Sequence, residues 1–207
     1  MSEWPPKYKA YGVTLTPLSS EMLEMVRQWR NDPTIADLML DKTHITEEMQ
    51  CAWFAKLQGD QTRAYWVAYF KDEAIGVASL VNISQHSAEP GMYIYPERYR
   101  NNIVPFCVAF ALNDLAFDVL GMKTLFGKIY SENQISMRFH LKCGYHIYNA
   151  AVENIRNQEQ TDSFTGSHAK IRWSRPVPTE QSNLVYVRLS HDAYTHARDP
   201  LARFIRY

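Results

Sequence analysis

Apolar positions along the chain fall into alternating and helical runs separated by turn residues. Val13 to Leu18 alternates and carries β-branched residues, which predicts a first strand. Ser20 is placed to cap a helix, with Glu21 and Glu24 in its first turn, where carboxylates face the positive helix end. Met22, Met25, Val26 and Trp29 then recur at helical spacing and form a core stripe, and Asp32-Pro33 ends the helix. Thr46 caps a second helix with Met49, Ala52, Trp53 and Leu57 on one face, broken by Gly59-Asp60. Tyr65 to Phe70 and Ala74 to Ile83 predict an antiparallel hairpin that turns at Lys71-Asp72-Glu73. Glu89 to Tyr95 predicts a fourth strand, with Gly91 marking a bulge.

Pro96 to Ile103 reads as a turn. The following segment, to about Leu120, is apolar on nearly every side and predicts a buried helix with Gly121 at its C-cap. Thr124 to Tyr130 predicts a fifth strand, Asn133 to Lys142 a helix closed by Gly144, Tyr145 to Tyr148 a sixth strand and Val185 to Leu189 a seventh. Between the last two lies a polar segment, Asn149 to Asn183, with Trp173, four basic residues (Arg156, Lys170, Arg172, Arg175) and two prolines. A connection this long inside a compact domain predicts a lid or acceptor-binding loop, with a short strand at Lys170 to Trp173. The tail from Asp199 to Tyr207 is basic and aromatic and reads as a docked or frayed end.

Composition narrows the classes. The 207 residues, 46% hydrophobic and 13% aromatic, suit one domain with a sizeable core and an insertion at about residues 149–183. Lysine plus arginine balances aspartate plus glutamate at 22 each, so no net field draws the chain to nucleic acid or an anionic membrane. No apolar run approaches the roughly 20 residues of a membrane span. Met1 to Pro6 lacks the basic start and apolar stretch of a signal peptide. Cys51, Cys107 and Cys143 are odd in number and far apart, and read as reduced thiols of a cytoplasmic protein, with no metal-spaced cluster.

One stretch carries chemistry. Asn133-x-x-Ser136, followed by a short helix ending Lys142-Cys143-Gly144-Tyr145, resembles the GNAT superfamily of acyl-CoA-dependent N-acyltransferases, where Asn-x-x-Ser and Lys-x-Gly-Phe/Tyr recur at this spacing. The order of elements from Glu89 to Tyr145 fits the same family. Trp29-Arg30-Asn31 looks like the signature of one branch, the amino-sugar N-acetyltransferases of bacterial surface-glycan pathways, pseudaminic acid synthesis among them; a capped helix end explains it as well. The resemblance implies an α/β GNAT-like fold, a mixed and mostly antiparallel sheet of about seven strands flanked by helices.

It also implies a donor site. The family binds the pyrophosphate of coenzyme A at a strand-to-helix turn, where unpaired N–H groups and the helix dipole meet an anion. Its pattern there, Gln/Arg-x-x-Gly-x-Gly/Ala, is broken here: Arg98-Tyr99-Arg100-Asn101-Asn102-Ile103-Val104-Pro105 offers no glycine in either register. Asn101 and Asn102 suit a left-handed turn, and Arg98 and Arg100 can supply bidentate phosphate contacts. Tyr93, Ile94 and Tyr95 on the preceding strand carry the backbone that the resemblance assigns to the pantetheine arm and the thioester carbonyl. Asn133 and Ser136 complete the donor site implied by the motif.

Acyl transfer to an amine needs a neutral nucleophile, a donor for the oxyanion and a proton for the thiolate. The family often uses a tyrosine as that acid, four residues before the glycine; here the position holds His140. Glu89, at the start of the fourth strand, stands where the family often has a carboxylate base. The implied co-substrate is acetyl-CoA, with no metal. The implied reaction is N-acetylation of a primary amine on a small molecule, foremost a nucleotide-linked amino sugar, by a monomer or homodimer with no nucleic-acid or membrane partner. N-terminal protein acetylation of the ribosomal-protein type is the alternative enzyme. A catalytically silent GNAT-fold binding protein is the alternative of another class, motivated by the missing glycines.

Overall fold

The computed structural model describes residues 4–39, 41–148 and 183–205. Among them, eight strands form one sheet in the order β1-β2-β3-β4-β5-β6-β8-β7. The strands are β1 (Tyr8–Ala10), β2 (Val13–Pro17), β3 (Ala64–Phe70), β4 (Glu73–Val81), β5 (Ser87–Ile94), β6 (Thr124–Tyr130), β7 (His146–Ile147) and β8 (Leu184–Ser190). All neighbours pair antiparallel except β5 and β6, which run parallel. The sheet is mixed and mostly antiparallel, as expected, with eight strands in place of seven. The extra one, β1, is only three residues long and too short to show alternation. The polar segment expected to form a lid lies outside the described residues, apart from Asn183.

Helices cover both faces. On one face lie α1 (Leu23–Asn31), the single turn α2 (Pro33–Ala36) and α3 (Glu47–Leu57). Val26 and Trp29 of α1 pack with Val67 and Val77 of the hairpin and with Tyr93 and Tyr95 of β5. The other face carries α5 (Val104–Asp114), preceded by the single turn α4 (Glu97–Arg100) and continued by a π turn over Leu115–Val119. Of α5's eleven residues only Phe106 is not buried, which is why the segment reads apolar all round. Each large apolar side chain it removes from water contributes roughly 1.5–3 kcal/mol. On this face also lie α6 (Gln134–Lys142), whose Phe139 meets Phe106 of α5 at 4.7 Å between ring centres, and α7 (His191–Ala202).

Several local expectations shift. Ser20 does not cap α1: it opens a 3-10 turn over Ser20–Met22 after Ser19, which has extended backbone. Thr46 caps α3 as predicted, its hydroxyl accepting from the Met49 N–H at 3.2 Å. The turn expected between Pro96 and Ile103 contains the helical turn α4. The bulge falls between Ala68 and Tyr69, and Gly91 pairs in register with Ser79. The close approach occurs at Gly76 instead, where a Cβ would stand 2.1 Å from the Tyr93 carbonyl oxygen. Lys71 and Asp72 turn the hairpin in the left-handed region, at φ 49° and 63°.

A buried polar cluster fastens both ends of the chain to α5. Asp114 accepts hydrogen bonds from the hydroxyls of Tyr11 and Tyr194, each at 2.6 Å, and from Arg198 Nη1 at 2.9 Å. Tyr194 is fully buried, and its hydroxyl also reaches the Phe110 carbonyl at 3.0 Å. These bonds hold Tyr11 in a left-handed conformation, φ 54°, which a tyrosine otherwise avoids. Asp114→Ala leaves two phenols and a guanidinium without their acceptor, so it should cost about 3 kcal/mol in urea unfolding. A loss below about 1 kcal/mol would mean that water replaces the carboxylate.

Candidate active site

The site begins where β5 and β6 part. They pair at only two positions, Ser87 with Thr124 and Ala88 with Leu125. The alternation along β5 explains the break. Tyr95 donates to the Ile75 carbonyl at 2.9 Å, so odd-numbered residues of this strand turn their backbone toward β4. Even-numbered residues therefore face β6, and after Ala88 the next is Pro90, which has no N–H to continue the ladder. Beyond it the edge of β5 offers the N–H groups of Met92 and Ile94 to the gap. The Ile94 carbonyl on that edge accepts from Arg100 Nε at 2.8 Å.

The gap opens into a cavity of about 830 Å³ lined from both faces of the sheet. Arg30, Gln50, Trp53 and Tyr65 line it on the α1/α3 face, and Asn113, Phe139, His140 and Tyr145 on the α5/α6 face. Pro90 to Tyr93 of β5 and Gly127 and Lys128 of β6 lie between. Two buried polar side-chain atoms here lack a partner among the described residues. Arg30 Nη1 and the Tyr93 hydroxyl are buried without one. Burial raises the Tyr93 phenol, and the charge of Arg30 partly offsets that. The amides of Gln50 and Asn113 are buried as well. Such groups cost free energy unless a ligand or water meets them.

Each residue of the Trp29-Arg30-Asn31-Asp32 run has a place. Trp29 stacks on Tyr95 at 5.3 Å, and Asp32 accepts from the Tyr95 hydroxyl at 3.3 Å while capping α2 through Thr34. The Asn31 amide holds the Ile45 backbone in both directions, each bond 2.8 Å, fixing the α2–α3 connection beside the cavity. Arg30 Nη2 donates to the Asp41 carbonyl, leaving Nη1 buried at the cavity wall.

The expected donor residues divide. The N–H groups of Asn101, Asn102 and Ile103 make no hydrogen bond to another described group, so the glycine-free loop still presents three consecutive donors. The Val104 N–H is occupied by the Asn102 side chain at 2.8 Å, which substitutes for a glycine turn by capping from within. Both arginines are engaged: Arg98 with Glu73, and Arg100 with the Ile94 and Tyr95 carbonyls and Thr34. Tyr93 turns its N–H into the sheet, and Ile94 and Met92 hold the outward ones; Met92 escaped the sequence reading because only the phase set by Pro90 reveals it. Tyr95 faces α1. Asn133 caps α6, accepting from the Ser136 N–H at 2.9 Å.

The two expected proton carriers also differ. Glu89 stands at the point of parting, its carboxylate 3.5 Å from Lys128 Nζ, and it is not among the residues that line the cavity. His140 lines it and is half-buried. Its Nδ1 lies 2.8 Å from the Ser136 carbonyl oxygen, which can only accept, so Nδ1 carries the hydrogen. Burial lowers the pKa of His140, with the Ser136 bond opposing it. Burial thus favours the neutral ring, whereas the family's acid begins with its proton in place. Cys143, also at the cavity, is a buried thiol pushed up to about 12.

A family model described as an acetyltransferase (GNAT) domain matches residues 13–146. The chain belongs to the GNAT acetyltransferase family. Acetyltransferase PseH of Campylobacter jejuni is 27% identical over 131 residues, covering 63% of this chain and 81% of that protein. The crystal structure of C. jejuni PseH with acetyl coenzyme A superposes at TM-score 0.58 and 19% identity, over 86% of this chain and 99% of the other. Spermidine N-acetyltransferase of Vibrio cholerae, with CoA and spermine, gives 0.68 at 15% identity over 89% and 99%. FdhC, a nucleotide-linked sugar GNAT, gives 0.66 at 16% identity over 97% and 98%. At these identities the structural matches establish the fold. Among the described residues no helix is long and apolar enough to cross a membrane, and no group of histidine, cysteine and acidic side chains is arranged for a metal.

The thiols supply a check on the cavity. Cys51 is exposed, and Cys107 and Cys143 are buried. With its pKa near 12, Cys143 holds only about one thiolate in ten thousand at pH 8. Iodoacetamide at pH 8 should add one adduct to the native protein and three after denaturation, read by intact mass. Rapid native labelling of Cys143 would contradict the burial described here.

Proposed function

We propose that the protein transfers the acetyl group of acetyl-CoA to a primary amine on a nucleotide-linked amino sugar. The observation that carries this is Arg30: a buried guanidinium nitrogen with no partner among the described residues, at the wall of the α1/α3 half of the cavity. A buried guanidinium nitrogen left unmet there is costly, and an anionic oxygen is its best partner. A sugar nucleotide brings a diphosphate. A polyamine brings only cations, and Asp41 is the sole carboxylate among the lining residues, with one oxygen already accepting from the Thr43 N–H at 2.9 Å. The sequence likeness to PseH supports the same choice.

The donor side fits acetyl-CoA. The N–H groups of Asn101, Asn102 and Ile103 are positioned for its pyrophosphate, and the gap beside Met92 and Ile94 for its pantetheine arm and thioester. Those two N–H groups are the candidate donors to the oxyanion, held by the sheet and needing no rearrangement during reaction. Trp53 and Tyr65, in edge-to-face contact at 4.9 Å, wall the acceptor side with apolar surface.

The test pairs two acceptors in an acetyl-CoA assay read by mass spectrometry: the amino sugar linked to its nucleotide, and the same sugar without phosphates. Arg30→Gln should raise KM for the nucleotide-linked acceptor at least tenfold, about 1.4 kcal/mol, and leave the phosphate-free sugar within threefold. A wild-type enzyme that prefers spermidine, or a variant that weakens both acceptors equally, would overturn the assignment. An acetyl-CoA titration should raise the melting temperature of both proteins alike, which confirms that the donor half is intact.

A further inference from the structure

His140 occupies the family's tyrosine position, yet its ring is arranged for a different task. Its Nδ1 hydrogen is fixed on the Ser136 carbonyl at 2.8 Å, with the Ser136 hydroxyl 3.3 Å away. The other nitrogen, Nε2, therefore carries a lone pair and has no partner among the described residues. It lies over Gly127: a Cβ built there would be 3.9 Å from Nε2 and 3.0 Å from Val187. Glycine leaves this nitrogen uncovered at the cavity. The Tyr145 ring packs edge-on against the imidazole at 5.0 Å and 72° and holds its plane.

We propose that His140 works from its neutral form, as a carrier whose Nε2 takes the proton released by the attacking amine and passes it to the departing sulfur. This rests on the acetyl-transfer reading above. As the amine nitrogen bonds to the thioester carbon it becomes positively charged, and its proton moves to the Nε2 lone pair. The carbon–sulfur bond breaks with its electrons on sulfur, and the proton on Nε2 moves there. The products are an amide and a thiol, His140 is neutral again, and no further reactant is consumed. A histidine that began protonated could do only the second half. Placing one group on both transfers also leaves Glu89 free to remain paired with Lys128.

The pH dependence follows from the groups around the ring. The charged residues lining the cavity are Lys128, Arg30 and Asp41, with Glu89 beside Lys128; Tyr65, Tyr93, Tyr145 and Cys143 are its other titratable groups. Burial pushes Tyr65, Tyr93, Tyr145 and Cys143 upward, away from the acid range, and the Thr43 hydrogen bonds hold Asp41 down. Burial places the His140 pKa below 6.5. Protonation removes the lone pair, so activity should fall as the pH drops through that pKa, with no His140-dependent loss on the alkaline side. Taking the ratio of variant to wild type at each pH removes the acceptor amine's own titration.

His140→Gln and His140→Phe should lower kcat by roughly 10²–10³, keep the acetyl-CoA Kd within threefold, and lack the acid limb. His140→Tyr should regain part of the rate with a loss at high pH instead. Nitrogen-15 spectra of the imidazole in the free protein supply a readout independent of turnover: a hydrogen on Nδ1 and a pKa below 6.5. An imidazole charged at pH 7, a hydrogen on Nε2, or a His140→Gln enzyme within threefold of wild type would overturn the role. A wild-type protein inactive toward every amine tried would overturn the acetyl-transfer reading and this role with it; an active wild type with an equally active His140→Gln variant overturns this role alone.

Discussion

The site depends on how little holds β5 to β6. Two residue pairs join the halves of the sheet, and then the strands diverge. Antiparallel pairing on either side keeps each half rigid, so the divergence is a fixed gap and not a loose edge. Into that gap the fold directs two backbone N–H groups from one strand and an imidazole from the helix behind the other. Because the sheet itself is parted, the cavity reaches both faces. Two molecules can then approach from opposite sides and meet at one point, which is the geometry acyl transfer between a thioester and an amine requires.

The two faces use polar groups differently. Behind α5 the buried carboxylate Asp114 is fully met by Tyr11, Tyr194 and Arg198, and the cluster fastens the first hairpin and the last helix to the core. Around the cavity, Arg30 Nη1 and the Tyr93 hydroxyl are buried with no partner among the described residues. A fully bonded network rigidifies, whereas unmet groups raise the energy of the free protein and are relieved on binding. The contrast separates scaffold from site without reference to any relative.

The architecture was legible where signals were local. The all-round apolar run gave α5, and Thr46 followed by Glu47 and Glu48 gave the start of α3. The strand β1 was hidden by its length, and the turn through Tyr11 by a left-handed tyrosine that only the distant Asp114 explains. The site was legible in outline: Ser136 and His140 lie one helical turn apart, and the motif places them at the gap. What sequence could not supply was the hydrogen on Nδ1, which depends on rotamer and burial. Nor could it show the Glu89–Lys128 pair, which joins two strands, or the Met92 N–H, which depends on strand phase. The missing glycines misled in one respect, since the Asn102 side chain does the capping they would have left to backbone.

Pro90 and Arg100 have a consequence for how the molecule persists. A sheet parted in its middle carries two facing rows of unsatisfied backbone groups, and such rows tend to zip together or recruit a strand from another chain. At the inner end of the opening Pro90 offers no hydrogen to a pairing strand. At the outer end Arg100 already covers the Ile94 carbonyl. Between these two stoppers only a short length of edge remains, enough for a few bonds to a slender arm and too little for a foreign strand to take hold. The opening is thus protected against misassembly by the same residues that define its length.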